Sequence, residues 1–150
     1  KINLLTTTLR AKGMVGLDAC FFIYQFENHP TYARICSAVI SLIEDGKIEA
    51  FTSTISLSEV LVKPIKLGRP EEVLLLDQAM HDIPHLSLIP IDSTVAKIAA
   101  HFRATYGFRL PDCLHLASTF STGTDLFLTN NHRLKSIKTP KVLCLSDYLD

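Results

Sequence analysis

MVGLDACFFIYQF, residues 14–26, changes character at its fifth residue. Met14 to Leu17 is a short apolar run without polar alternation, as in a strand buried on both faces. Asp18 interrupts it, and the apolar residues that follow predict a helix. An aspartate at that junction suits a helix cap, because its side chain can accept an N–H that the first turn leaves unpaired. Strand, acid and helix in that order make the opening unit of a parallel α/β sheet, whose strands need crossover connections.

The alternation repeats along the chain. Thr31 to Asp45 has helical period, and Gly46 ends it as a left-handed stop. IEAFTS (48–53) predicts a second strand. SLSEVLVKPIKLG (56–68) begins a helix that Pro64 must kink or end. PEEVLLLDQAMHDI (70–83) opens with proline and two acids, a helix start. LSLIPI (86–91) is a strand, and DSTVAKIAAHFRATYG (92–107) a helix capped by Asp92. RLPDCLHLAST (109–119) is a helix with Pro111 at its first position. DLFLTN (125–130) is a strand, HRLKSI (132–137) a short helix and KVLCLS (141–146) the last strand. The predicted fold is α/β: three α/β/α layers with a central, mostly parallel sheet.

A chain of 150 residues forms one domain with a sizeable core, and 47% hydrophobic residues exclude disorder. No apolar run reaches the roughly 20 residues of a membrane span. Formal net charge is zero, so there is no global basic field for nonspecific nucleic-acid binding. Charge is nonetheless uneven: Arg133, Lys135, Lys138 and Lys141 follow one another with no acid between. That stretch is either a solvated face or a phosphate-facing one. Cys20, Cys36, Cys113 and Cys144 show no C-x-x-C spacing, which argues against zinc and for free thiols in a reducing, cytoplasmic setting. Residues 1–13 read as an extension, native or added, ahead of a start at Met14, with a single domain over 14–150.

Open parallel sheets place ligands outside the carboxyl ends of their strands. Asp18 follows the first strand, Glu59 is expected in the first turn after the second, and Asn131 follows DLFLTN. These three share the carboxyl edge; the pattern leaves open the edge on which Asp112 lies. Each has a plainer role. Asp18 can cap a helix, Ser56 and Glu59 can form a capping box, Asn131 can turn the chain, and Asp112 can face a helix dipole. Capping does not explain why acids recur at several strand–helix turns of one sheet.

The order LDACFFIY, SLSEVL, LPDCLHLA, TDLFLTNN resembles the PIN-domain nucleases, nearest to the VapC-like toxins of toxin–antitoxin pairs. The resemblance covers about Met14 to Leu149 and is most specific in D-C-L-H-L-A and T-D-L-F-L-T-N. It implies that Asp18, Glu59 and Asp112 are the catalytic, metal-binding acids and that Asp112 shares their edge. Thr129 and Asn130 match polar residues beside the site, there to contact substrate or orient metal-bound water. Asn131, placed with the catalytic residues, stands where aspartate is common and offers a metal or its water an amide oxygen without charge. Three gathered carboxylates raise one another's pKa, a conflict that Mg²⁺ or Mn²⁺ resolves with oxygen ligands. The implied function is metal-dependent endoribonuclease activity, with a homodimer and a cognate antitoxin as further expectations. Arg109, Arg133 and Lys135 are candidate RNA contacts, as are Lys63 and Arg103. His115, three residues beyond Asp112 on the same helical side, is either a general acid/base or, more usually for such a residue, a packed or interface histidine.

Two rivals fail on spacing. A phosphatase of the haloacid-dehalogenase kind needs aspartate two residues after Asp18, where Cys20 stands. A receiver domain needs paired acids near the first strand. The alternative from another class is a PIN-like RNA-binding or protein-interaction module with a weakened metal site, which Asn131 keeps open.

Overall fold

In the computed structural model, which describes residues 1–150, β1 (Met14–Leu17) is the central strand of a five-stranded sheet of order β3-β2-β1-β4-β5. Its partners are β2 (Glu49–Ser53) and β4 (Leu126–Thr129), flanked by β3 (Leu86–Ile89) and β5 (Lys141–Cys144). All four pairings are parallel, so every strand ends on one edge.

Seven α-helices cover the sheet: α1 (Ile2–Lys12), α2 (Ala19–Phe26), α3 (Ala33–Glu44), α4 (Thr54–Lys66), α5 (Pro70–Asp82), α6 (Ser93–Tyr106) and α7 (Leu110–Ser121). Short 3-10 helices, His132–Ser136 and Leu145–Tyr148, follow β4 and β5. Strand residues divide by parity between two cores. Leu126 and Leu128 join Phe21, Phe22, Ile35 and Val39 on one face. Phe127 joins Val95, Phe102, Leu116 and Ala117 on the other. This is the three-layer arrangement the apolar strands predict.

Residues 1–13, set apart in the sequence reading, carry α1, whose Leu5 and Leu9 are fully buried in the first core. The stop after α3 is as expected: Gly46 has φ of 70°, a conformation open to a residue without Cβ. Helix α4 runs two residues past Pro64 and ends at Lys66, within the turn where the proline lacks its own i−4 bond. One helix start differs from expectation. Helix α7 opens at Leu110, so Pro111 takes the second position, where a backbone N–H is equally unneeded.

Gly16 sets the height of α7 over the sheet. A Cβ at Gly16 would lie 1.8 Å from Thr119 Oγ1, so only glycine lets the helix approach β1 this closely. Thr119, late in α7, crosses the middle of β1, while His115, one turn earlier, reaches the carboxylate just beyond its end. The helix therefore descends from the carboxyl edge, and its first turn stands over that edge.

Candidate active site

Asp18 caps α2, as its place after β1 predicts: Oδ1 accepts the Ala19 N–H at 2.7 Å. Its other oxygen, Oδ2, accepts from the Thr129 hydroxyl at 2.7 Å, and Thr129 Oγ1 in turn accepts the Asn131 N–H at 3.1 Å. Asp18 is only 8% exposed, and its two oxygens are fixed by the first residue of α2 and by β4. It caps a helix and also faces the site.

Glu59 arrives by a different route from the expected capping box. Ser53 caps α4 by accepting the Ile55 N–H, while Ser56 is buried with its hydroxyl 2.6 Å from that of Thr52. Thr52 also donates to the Leu17 carbonyl at 2.9 Å. This pair ties the start of α4 to β1, and Glu59 lies in the second turn rather than the first. It is partly exposed and turned toward α7.

His115 joins the two acids. Its Nε2 lies 3.2 Å from Glu59 Oε1 and 3.6 Å from Asp18 Oδ1, with the side chain 2% exposed. The ligand atoms of Asp18, Glu59 and His115 lie within 4.8 Å of one another. Burial alone would lower the imidazole pKa. The hydrogen bond to Glu59 and the charges of Asp18, Glu59 and Asp112 outweigh it, so the pKa stands above the usual histidine value. His115 Nδ1 is buried without a partner. A histidine kept only for packing would more usually satisfy both nitrogens.

Asp112, in the first turn of α7, shares the carboxyl edge with this group but lies outside its tightest cluster. Its pKa is raised, by burial first and then by the charge of Asp18, with a smaller push from Glu59; His115 and Arg109 act against the rise. Four ionisable side chains from three segments thus share one field. A divalent cation fits them: the donors are chiefly carboxylate oxygens, and an imidazole nitrogen stands among them.

A family model for the PIN domain matches residues 15–140. The chain belongs to the PIN-domain family. Comparison with the sequences of curated proteins returns no match. Among solved structures, the PIN domain is similar to a chain of a toxin–antitoxin complex from Klebsiella pneumoniae (19% identity, 87% of this chain and 97% of that one, TM-score 0.64). It is also similar to chains of VapBC2 from Rickettsia felis bound to a promoter DNA fragment (15%, 87% and 98%, 0.70) and of DNA-bound VapBC from Salmonella typhimurium (20%, 88% and 98%, 0.69). At these identities the likeness is one of fold.

The remaining candidates divide. Asn131 caps the 3-10 helix after β4, its Oδ1 accepting the Arg133 N–H at 3.1 Å, so its amide oxygen is engaged as a turn residue's would be. Asn130 accepts the Ser146 N–H and donates to the Tyr24 hydroxyl. Both asparagines line a cavity of about 230 Å³ with Asp18, Cys20, Tyr24 and Thr129. Arg109 is exposed beside Asp112. Arg133 is exposed, whereas Lys135 is paired with Asp147. Lys63 pairs with Glu27 at 2.9 Å, and Arg103 donates to the Phe108 carbonyl at 2.7 Å, holding the turn before α7. His132, Cys144 and Asp147 form a second group of possible ligand atoms, not foreseen from cysteine spacing; His132 also meets Ser146 and Asp147 is engaged by Lys135.

His115 is the residue the sequence undervalued, and its i+3 spacing from Asp112 was the available signal. Tyr24 was missed altogether; only its position on the helix that Asp18 caps hinted at the site.

Proposed function

We propose that this PIN domain is a metal-dependent endoribonuclease, the toxin of a toxin–antitoxin pair. The observation that carries the reading is the convergence of Asp18, Glu59 and His115 within 4.8 Å where Asp112 feels the same charges. Asp18, Glu59 and Asp112 would hold Mg²⁺ or Mn²⁺. Such an ion supplies neutralisation of phosphodiester charge and a water of lowered pKa. The protein's own part is positional. Thr129 and the Ala19 N–H fix the oxygens of Asp18, and His115 holds Glu59. Arg109 and Arg133, both exposed, would offer phosphate contacts.

Of the complexes to which the chain is similar, one is named as a toxin–antitoxin complex and two as VapBC assemblies bound to DNA. That supports a cognate antitoxin as partner; a homodimer and a cytoplasmic location belong to the same reading. No helix is long and apolar enough to cross a membrane.

One observation favours the alternative, an RNA-binding or interaction module with a weakened site: the Asn131 amide is neutral and occupied in capping. A cleavage assay on single-stranded RNA separates the two. Parent protein in Mn²⁺ should cut, and both chelator and Asp18→Asn should abolish cutting. RNA binding without cutting at any Mn²⁺ concentration would establish the alternative.

A further inference from the structure

We propose that Tyr24, His29 and Tyr32 form a seat for one nucleobase of single-stranded RNA beside the acids, an inference that rests on the RNA-substrate reading above. Helix α2 turns its aromatic residues two ways. Phe21 and Phe22 are fully buried, whereas Tyr24 is partly exposed and lines the cavity that also contains Asp18. Its hydroxyl accepts from Asn130 Nδ2 at 3.4 Å, tying the ring to the segment after β4.

Two more rings stand against it. Tyr32 stacks on Tyr24 with centroids 4.7 Å apart and planes 22° from parallel. His29 leans on both, at 4.9 Å from Tyr24 and 5.0 Å from Tyr32. His29 Nδ1 accepts the N–H groups of Thr31 and Tyr32, so in the neutral ring the proton sits on Nε2 as a free donor. All three rings are partly exposed.

A phosphodiester held at the acids brings its neighbouring bases close to this wall. Unpaired bases stack on aromatic side chains, and such stacking tolerates any base because each has a π-face. The Nε2–H of His29 adds a preference for a base edge that accepts a hydrogen bond. A paired base is already stacked within its duplex, so the seat selects single-stranded segments.

The test uses a short RNA carrying 2-aminopurine at successive positions, bound to the full chain in Ca²⁺, with cut sites mapped separately in Mn²⁺. The absence of tryptophan leaves the probe's emission clear of protein background. The parent should quench the probe at one or two positions flanking the cut bond. Tyr32→Leu should abolish that quenching and weaken binding about 5- to 100-fold, as expected for one stacked base, while Tyr32→Phe keeps both. Melting curves verify that each variant folds; if Tyr32→Leu does not, the parent's quenching pattern alone decides. Cutting without position-specific quenching, or quenching unchanged in folded Tyr32→Leu, overturns the seat and leaves the nuclease reading intact. Position-specific quenching without cutting overturns the nuclease reading and keeps the seat. No RNA binding overturns both.

Discussion

Asp112 is subject to opposed influences. An acid in the first turn of α7 gains from the helix dipole, an effect worth about 0.3–1 kcal/mol. Burial and the charge of Asp18 act the other way, and they outweigh His115 and Arg109, so that the pKa is raised. A carboxyl harder to ionise in the folded chain than in the unfolded one costs stability as pH rises from the ordinary carboxylate value through the raised one. Above that window the cost is fully present; below it the group is protonated in both states and the cost is gone. In metal-free protein, Asp112→Asn should therefore raise the melting temperature at neutral pH, and this advantage should vanish in acid. Mn²⁺ should then stabilise the parent in proportion to the logarithm of its concentration above Kd, and the variant much less. Melts with chelator and across a manganese titration, at pH 7 and in acid, measure both effects. A lower apo melting temperature with an unchanged response to Mn²⁺ would make Asp112 a helix-dipole residue and nothing more.

Elements decide whether these side chains can meet. The approach of α7 to β1 depends on Gly16, because an added Cβ would overlap the buried Thr119 side chain. Gly16→Ala should cost about 1–3 kcal/mol through overpacking and lower metal affinity with it, since α7 carries both Asp112 and His115. Adding Thr119→Ala should restore part of the stability, as chemical denaturation of the parent and the two variants would reveal; no rescue would place the strain elsewhere. The 3-10 helix after β4 poses a different question. Arg133 and Lys138 are exposed without an ion-pair partner, whereas Lys135 is engaged by Asp147. Alanine at Arg133 and Lys138 should weaken RNA binding and flatten its salt dependence by about 0.7 in log–log slope per lost single-strand phosphate contact. Lys135→Ala should do less. Equal slopes for all variants would make the stretch an ordinary solvated face.

For the whole molecule, legibility followed the strength of local signals. Strands β1, β4 and β5 stood out because each is a largely apolar run closed by polar or capping residues, and the parallel order of all five followed from the helices between them. Glu59 and His115 are separated by 56 positions, and their pairing needs the completed sheet. Asn131 was ambiguous for a physical reason: an amide after a strand serves a turn as well as a site. Helix α1 was invisible because only one i,i+4 pair, Leu5 and Leu9, is buried, among threonines of poor helix propensity and without a side-chain cap. That pair nonetheless lies at 0% exposure in the core shared with Phe21, Ile35 and Leu145. If α1 is an integral layer of the fold, Leu9→Ala should cost about 2–5 kcal/mol, as for other buried leucines. Leu4, next to Leu5 in the chain but 62% exposed, supplies the control: Leu4→Ala should change stability by no more than about 0.5 kcal/mol. Both variants keep the helix backbone and gain slightly in propensity, so packing alone separates them. Urea unfolding with a common m-value would measure the difference. Equal, small effects would make residues 1–13 an appendage, and the domain would begin at Met14.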